Sequence, residues 1–350
     1  MRKGQLIGGG LVLALAALVG VGLWQTSGQR GRTSPAAVRH PEGIMGTTCT
    51  LAAVAMRRQQ AEEALDQAEA ALRAVEARMS VWLEDSEVSR LNAAGAGDEV
   101  RLSPETLQVL RAARDGAAAT AGAFDATCRP LIELWQRAAK RGRLPTATEI
   151  AEARAASSWG LFELTDDGAT KRAAGARVDL GGIAKGYAID RAVEALQRAG
   201  AAGGLVDVGG DLRCFGRPPD GEHWAVEVKD PSGAEPLGEL HLRGGAVCTS
   251  GNYARFSVIE GRRYSHIVDP RSGRPANAVP SVTVVAGSAM RADIWATALS
   301  VLGPDGFARL PQGVEALAVL GSGKGYRAVC TPGLRDLVHG PLIEGIAKPL

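Results

Sequence analysis

Apolar residues recur at helical spacing along residues 58–79, where Ala61, Ala64, Leu65, Ala68, Leu72, Val75 and Met79 form one continuous stripe. The pattern predicts a long amphipathic helix with that stripe on a core. Ser103-Pro104-Glu105 is a helix start, with a serine cap, proline at the first position and an acid in the first turn; the helix is predicted to run to about residue 121. A shorter helix is predicted over 146–156. Ile189, Val193 and Leu196 share one face of a helix over 187–199, which Gly200 should stop. Another is predicted over 292–302. Strands are predicted over 42–55, 204–208, 223–229, 237–242, 264–268, 281–286 and 316–320. A short strand near 177–179 is predicted to enter a glycine turn. Helices and strands mix without strict alternation, which favours an α+β fold over a doubly wound parallel sheet. No repeat of fixed period interrupts this organisation, and no long linker follows residue 45.

The N-terminus behaves differently. Arg2 and Lys3 precede a run from Leu6 to Trp24 without a charged residue, and Gln25-Thr26-Ser27 follow. This is the layout of an export signal, and the run is also about long enough to span a bilayer. A cleaved signal peptide and an uncleaved anchor both fit residues 1–25. Either places the body outside the cytoplasm, periplasmic or anchored to the inner membrane and facing the periplasm, since the basic residues stay inside. Residues 26–41 are predicted to be a flexible tether, and 42–350 the folded domain.

Composition narrows the function classes. Hydrophobic residues make up 45% of the 350-residue chain, enough for a real core, and the net charge is only +2 with both signs interspersed. No basic stripe invites nucleic acid, and an aromatic content of 4% offers few stacking platforms for bases. Five cysteines stand far apart in sequence, so no C-x-x-C metal pair exists. They are expected to be small buried thiols, with a disulfide possible in an exported chain.

Five segments concentrate residues that packing does not require. Asp179 to Asp190 (DLGGIAKGYAID) places glycines at 181, 182 and 186 before a predicted helix, with Lys185 beside them. Helix N-termini attract phosphate, but the spacing is neither a dinucleotide fingerprint nor a P-loop, and a plain glycine turn also fits. Val206 to Asp211 (VDVGGD) ends a strand in two glycines that suit a tight turn or a flat ring. Thr249 to Tyr253 is a small polar turn. His266 to Gly273 (HIVDPRSG) puts a histidine at a strand end before a turn; a lone histidine is usually structural, and as a base it needs a hydroxyl within reach. Asp293 and Thr297, four apart on one helix face, are oxygen donors suited to a hard cation such as Mg²⁺, although taken alone such a pair also fits a chance arrangement on a helix surface.

Taken in order, these segments resemble the FAD:protein FMN transferases, the ApbE-type flavin transferase family. Met45-Gly46-Thr47, Met79-Ser80 with Ser86-Glu87 and Asn92, and Phe124-Asp125-Ala126-Thr127 with Pro130-Leu131 and Trp135 carry the earlier part of the resemblance. The five segments above carry the rest, to about residue 303. The resemblance implies an α+β fold with mixed, mostly antiparallel sheets, flanking helices and two lobes around a central FAD cleft. It implies that Met45, Trp82, Ala123, Phe124, Asp125, Asp179, Lys185 and Ile267 line the FAD site. It also implies that Asp293, Thr297 and the main-chain oxygen of Gly182 hold Mg²⁺, with His266 as the catalytic base.

The implied reaction cleaves FAD, links FMN through a phosphoester bond to a threonine of an acceptor protein and releases AMP. The acceptor is expected to be a subunit of a membrane electron-transport complex. Two rivals stay open: an FAD pyrophosphatase, in which water replaces the acceptor, and a non-catalytic periplasmic FAD-binding carrier. Trp82 stands where the family commonly has tyrosine, which keeps stacking but loses a phenol hydrogen bond. Lys185 stands where some members have glutamate, which changes the local charge.

Overall fold

A computed structural model describes residues 36–339, apart from 232–235, 252–255, 278 and 322–326. Its backbone is an eight-stranded sheet whose spatial order follows the sequence: β1 (Ala36–Arg39), β2 (Cys49–Val54), β3 (Gly203–Val208), β4 (Asp211–Phe215), β5 (Gly245–Gly251), β6 (Ser281–Ala286), β7 (Glu315–Leu320) and β8 (Arg327–Cys330). Each neighbouring pair is antiparallel. The expected class is therefore the observed one: α+β, with mostly antiparallel sheets and helices beside them.

Strand alternation sorts the core onto two faces. Val206, Ala246, Val284, Ala316 and Val329 point to one cluster, while Leu205, Val247, Val285, Leu317 and Ala328 point to another. The first face is covered by α1 (Arg58–Met79), α6 (Ala184–Arg198) and α7 (Ala289–Leu302); α6 packs on both α1 and α7. The second face is covered by a small sheet of Trp224–Lys229, Pro236–Leu242 and Val338–His339. Between β2 and β3 the chain adds α1 and then α2 (Glu87–Ala93), α3 (Pro104–Ala119), α4 (Arg129–Arg141), α5 (Ala147–Ala155) and α6. Trp135 of α4 stacks on Tyr264 with ring centroids 5.4 Å apart and donates from Nε1 to Gly273 O at 2.9 Å. That contact fastens the Phe256–Ile259/Arg262–Ser265 hairpin and the following turn to the helical insertion.

The caps follow the local reading. Ser103 Oγ accepts from Thr106 N at 3.3 Å, and Thr146 with Glu149 completes a reciprocal capping box before α5. Seven apolar positions of the predicted stripe on α1 are buried.

Several boundaries differ. Residues 36–39, assigned to the tether, form the edge strand β1, because β2 offers a free edge for them to pair with. The predicted strand over 42–55 starts only at Cys49; the stretch before it is a turn in which Met45 adopts a left-handed φ of 48°. No strand forms at 177–179. Asn92 replaces a neighbouring strand there, giving Nδ2 to Val178 O and taking Val178 N on Oδ1, both at 2.8 Å. The strand predicted over 264–268 breaks at His266-Ile267 into Arg262–Ser265 and Val268–Asp269. Helix α6 begins three residues earlier than predicted, so Gly186 lies inside it. Thr249 to Gly251 belong to β5 and are not a turn; Asn252 and Tyr253 lie outside the described residues. The apolar run Leu6–Trp24 also lies outside them, and among the described residues no helix is long and apolar enough to cross a membrane. All five cysteines are free thiols.

Candidate active site

Helices α6 and α7 meet N-terminus to N-terminus. A Cβ added at Gly186 would fall 2.3 Å from Ala289 O, so glycine lets the first turn of α6 lie directly against the start of α7. This close approach serves helix packing, where the sequence suggested a ligand. Each helix supplies a carboxylate to the other. Asp190 of α6 accepts from Ala289 N at 2.8 Å and from Met290 N at 2.9 Å, and Arg213 Nη1 reaches the same carboxylate at 2.8 Å. Asp293 of α7 accepts from Gly186 N at 3.1 Å. N–H groups of the first turn have no partner within their own helix, so both carboxylates satisfy orphan donors.

Both acids are buried, and burial raises their carboxyl pKa values. For Asp293 the charge of Lys185 and the Gly186 N–H oppose the rise, while the neighbouring Asp190 adds to it. A buried anion of this kind is stabilised by any cation brought beside it.

One turn further along α7, Thr297 faces Gly182. A Cβ on Gly182 would lie 2.8 Å from Thr297 Oγ1 and 3.3 Å from Phe124 Cε2, so only a glycine leaves this corner open. Ser300 of the same helix returns its hydroxyl to Ala296 O at 2.9 Å. Thr297 makes no such bond among the described residues, which leaves its oxygen available. Gly182, Asp293 and Thr297 therefore offer a carbonyl, a carboxylate and a hydroxyl without sulfur or imidazole. That donor chemistry fits Mg²⁺, which binds through few protein oxygens and keeps water or phosphate oxygens for the rest.

Lys185, in the first turn of α6, forms an ion pair with Asp211 Oδ2. Asp211 Oδ1 accepts from Thr249 N at 2.9 Å, and Thr249 Oγ1 lies 2.9 Å from Thr283 Oγ1. The lysine is thus held by β4 and β5, with its charge balanced by a carboxylate. The turn between β3 and β4 carries Gly209 and Gly210 at φ of 67° and 93°. A Cβ on Gly209 would lie 2.6 Å from Thr47 Oγ1, so the Met45-Gly46-Thr47 turn sits directly on this pair. The two glycines build a tight turn that another turn covers.

Asp179 lies at the rim. Its backbone N–H donates to Ala126 O at 2.7 Å, Oδ1 accepts from Gly181 N at 2.8 Å, and Oδ2 accepts from Arg129 Nη1 at 2.7 Å. Asp125 Oδ1 accepts both the N–H and the hydroxyl of Thr127 at 2.8 Å, which fixes the turn after α3. Burial pushes the Asp125 carboxyl up, opposed by those two bonds. Ala121 and Gly122 take left-handed φ values of 52° and 75° to make that turn. Arg271 Cγ would lie 3.6 Å from a Cβ on Gly122, so the turn after His266 approaches the same place.

The ApbE family model matches residues 45–319. The chain belongs to the ApbE family. Among curated relatives, the FAD:protein FMN transferase of Vibrio cholerae serotype O1 is 37% identical over 241 residues, which is 67% of this chain and 72% of the relative. That of Klebsiella pneumoniae is 29% identical over 307 residues, 85% of this chain and 88% of the relative. The apo crystal structure of the Pseudomonas stutzeri flavinyl transferase ApbE superposes with a TM-score of 0.75 at 32% identity, covering 86% of this chain and 96% of that one. The ApbE protein of Thermotoga maritima gives 0.76 at 31% identity, covering 87% and 100%.

Within this ApbE fold, Gly182 meets Thr297 and Phe124, and Asp293 lies one turn before Thr297 on α7 with the charge of Lys185 nearby. Ala123 is buried under the same turn. Asp179 and Trp82 meet through Arg129, whose Cζ lies 5.8 Å from the Trp82 ring centroid. Met45 lies on the turn over Gly209 and packs on the core cluster that holds Ala123 and Phe124. His266 occupies an exposed bend, and Ile267 is tied beside it by Ser265 Oγ at 3.1 Å and Ala276 N at 2.8 Å. The residues overlooked from sequence are Asp190, Asp211 and Arg129. The two acids stood inside recognised segments, but nothing in a spacing pattern tells a cap or an ion-pair partner from a surface acid. Arg129 gave no sequence signal at all.

Proposed function

We propose that this chain is an FAD:protein FMN transferase that binds FAD and Mg²⁺ at the junction of α6 and α7. The observation that carries the reading is the contact of Gly182 with Thr297, one helical turn from the buried Asp293, in a chain of the ApbE family. Asp293, Thr297 and Gly182 O would hold the cation, and Met45, Trp82, Ala123, Phe124, Asp125, Asp179, Lys185 and Ile267 would line the flavin nucleotide. When bound, Mg²⁺ supplies charge neutralisation at a phosphoanhydride.

The chain's own residues account for the remainder. The buried α7 carboxylate supplies a fixed negative anchor. Lys185, oriented by Asp211, presents a cation at a helix start, where anionic groups are already favoured. His266, on the exposed bend, would take the proton from an incoming threonine hydroxyl of the acceptor protein. That oxygen attacks the FMN phosphorus, the P–O bond to AMP breaks, and a phosphoester-linked flavin and AMP result. The acceptor is a subunit of a membrane electron-transport complex. The charge-free run Leu6–Trp24 behind Arg2 and Lys3 supports export of the body, as a periplasmic or inner-membrane-anchored protein.

Incubation with FAD, Mg²⁺ and a threonine-containing acceptor tests this. Transfer gives a fluorescent flavin band on the acceptor in a denaturing gel, with AMP in equal amount. FMN and AMP without a modified acceptor would make the protein a pyrophosphatase. Bound FAD with no turnover would make it a carrier.

A further inference from the structure

The turn between α1 and α2 exposes a large aromatic ring. Trp82 is 78% exposed, the most exposed tryptophan among the described residues. Its backbone is nevertheless fixed. Trp82 N donates to Ser80 Oγ at 3.2 Å, and Ser86 Oγ donates to Ser80 O at 2.7 Å. One face of the indole meets the guanidinium of Arg129 at 5.8 Å. An exposed tryptophan on a pinned turn has burial to gain from a flat partner.

Arg129 is far from a loose surface arginine. It opens α4, and its side chain is only 13% exposed. Nε donates to Glu133 Oε1 at 3.0 Å and Nη1 to Asp179 Oδ2 at 2.7 Å, so carboxylates grip the planar group at two of its nitrogens. Glu133 is itself held by Arg177 at 2.8 Å, and Asp179 by the Gly181 N–H at 2.8 Å. Burial would lower the guanidinium pKa, but Asp179 and Glu133 outweigh it and raise it. The plane of the cation is therefore set before any ligand arrives.

We propose that Arg129 is a positioning residue that backs the Trp82 indole, holding it as a shelf on which one flat ring system of FAD stacks. The inference rests on the transferase reading and adds a residue to it. An arginine fixed by two acids gives the indole one occupied face and one open face. It also couples the shelf to Asp179, so the ring contact and the rim carboxylate move as one unit.

A double-mutant cycle on FAD affinity tests it, with FAD itself as the probe in the full chain. R129Q should weaken FAD binding about fivefold to tenfold when Trp82 is present, and less than about twofold in a W82A background. R129K keeps the charge without the two-carboxylate fork and should fall between wild type and R129Q; it carries the test if R129Q does not fold. In turnover, KM for FAD should rise while kcat stays within about twofold. Equal losses in both Trp82 backgrounds, or a fall in kcat alone, would overturn the assignment and leave Arg129 a structural ion-pair residue. A wild-type chain that binds no FAD would instead sink the transferase reading, and this proposal with it.

Discussion

Asp190 and Asp293 cap each other's helices: Asp190, on α6, accepts Ala289 N and Met290 N at the start of α7, and Asp293, on α7, accepts Gly186 N at the start of α6. The exchange sets the relative position of the two elements that carry Gly182, Lys185, Asp293 and Thr297. It also means that Asp293 has a structural duty besides the metal role proposed for it. The two duties separate by chemistry, because a cap needs only an acceptor oxygen and a cation needs charge.

D293N keeps the oxygen that takes the Gly186 N–H and removes the charge. Its stability in urea should change by less than about 1 kcal/mol, the scale of a conserved cap. Flavin transfer should fall by at least about 100-fold, the scale of losing charge stabilisation at a reacting centre. Mg²⁺ titration calorimetry should show binding lost with it. D293N that transfers flavin at the wild-type rate would remove Asp293 from the chemistry.

D190A should act on the fold. It strands two backbone donors and the Arg213 guanidinium. A loss of about 2–4 kcal/mol is expected from buried charge partners left unpaired. Equilibrium denaturation measures it directly, and a change under 1 kcal/mol would contradict the interlock.

G186A places a methyl 2.3 Å from Ala289 O, a contact neither backbone can relieve without shifting. About 2–3 kcal/mol of destabilisation is expected from forcing the helices apart. Retained stability and retained transfer together would show that the helix junction tolerates movement.

Asp207 bears on pH. It is buried in β3, takes Gly210 N on Oδ1 at 2.9 Å, and its Oδ2 has no hydrogen-bond partner among the described residues. Burial raises its carboxyl pKa, with the Gly210 bond and the charges of Lys185 and Lys229 opposing. A raised folded pKa means the folded state holds the proton more tightly. The group thus costs no stability below its unfolded value, and the penalty grows as pH climbs through the folded one. D207N should therefore stabilise the protein by about 1 kcal/mol near neutral pH, with the gain shrinking as pH falls from the raised folded value toward the ordinary carboxylate value of about 4. Melting curves across that range would show it; a gain that grows on acidification would contradict the assignment.

Much of this protein is legible in its sequence. The stripe on α1, the caps at Ser103 and Thr146, and the strands at 204–208 and 281–286 depend on local periodicity and on side chains bonding their own backbone. Such signals lie within a few residues of one another. The helix pair Asp293/Thr297 is legible for the same reason, since four residues make one turn. Val178 shows the limit. Its sequence suits a strand, but Asn92, 86 positions earlier, occupies both of its backbone groups. Gly186 shows another, because its small size serves a helix that arrives about a hundred residues later.

Periodicity and ordered motifs in the sequence thus determined the class of fold, most of its elements and the family. They act over short distances or through shared ancestry. Tertiary structure alone decided which acid faces which helix end, that Lys185 spends its charge on Asp211, and that Arg129 joins Asp179 to Trp82. Those pairings join residues far apart in the chain. Their energies come from burial and from charge brought together only when the sheet and helices have closed.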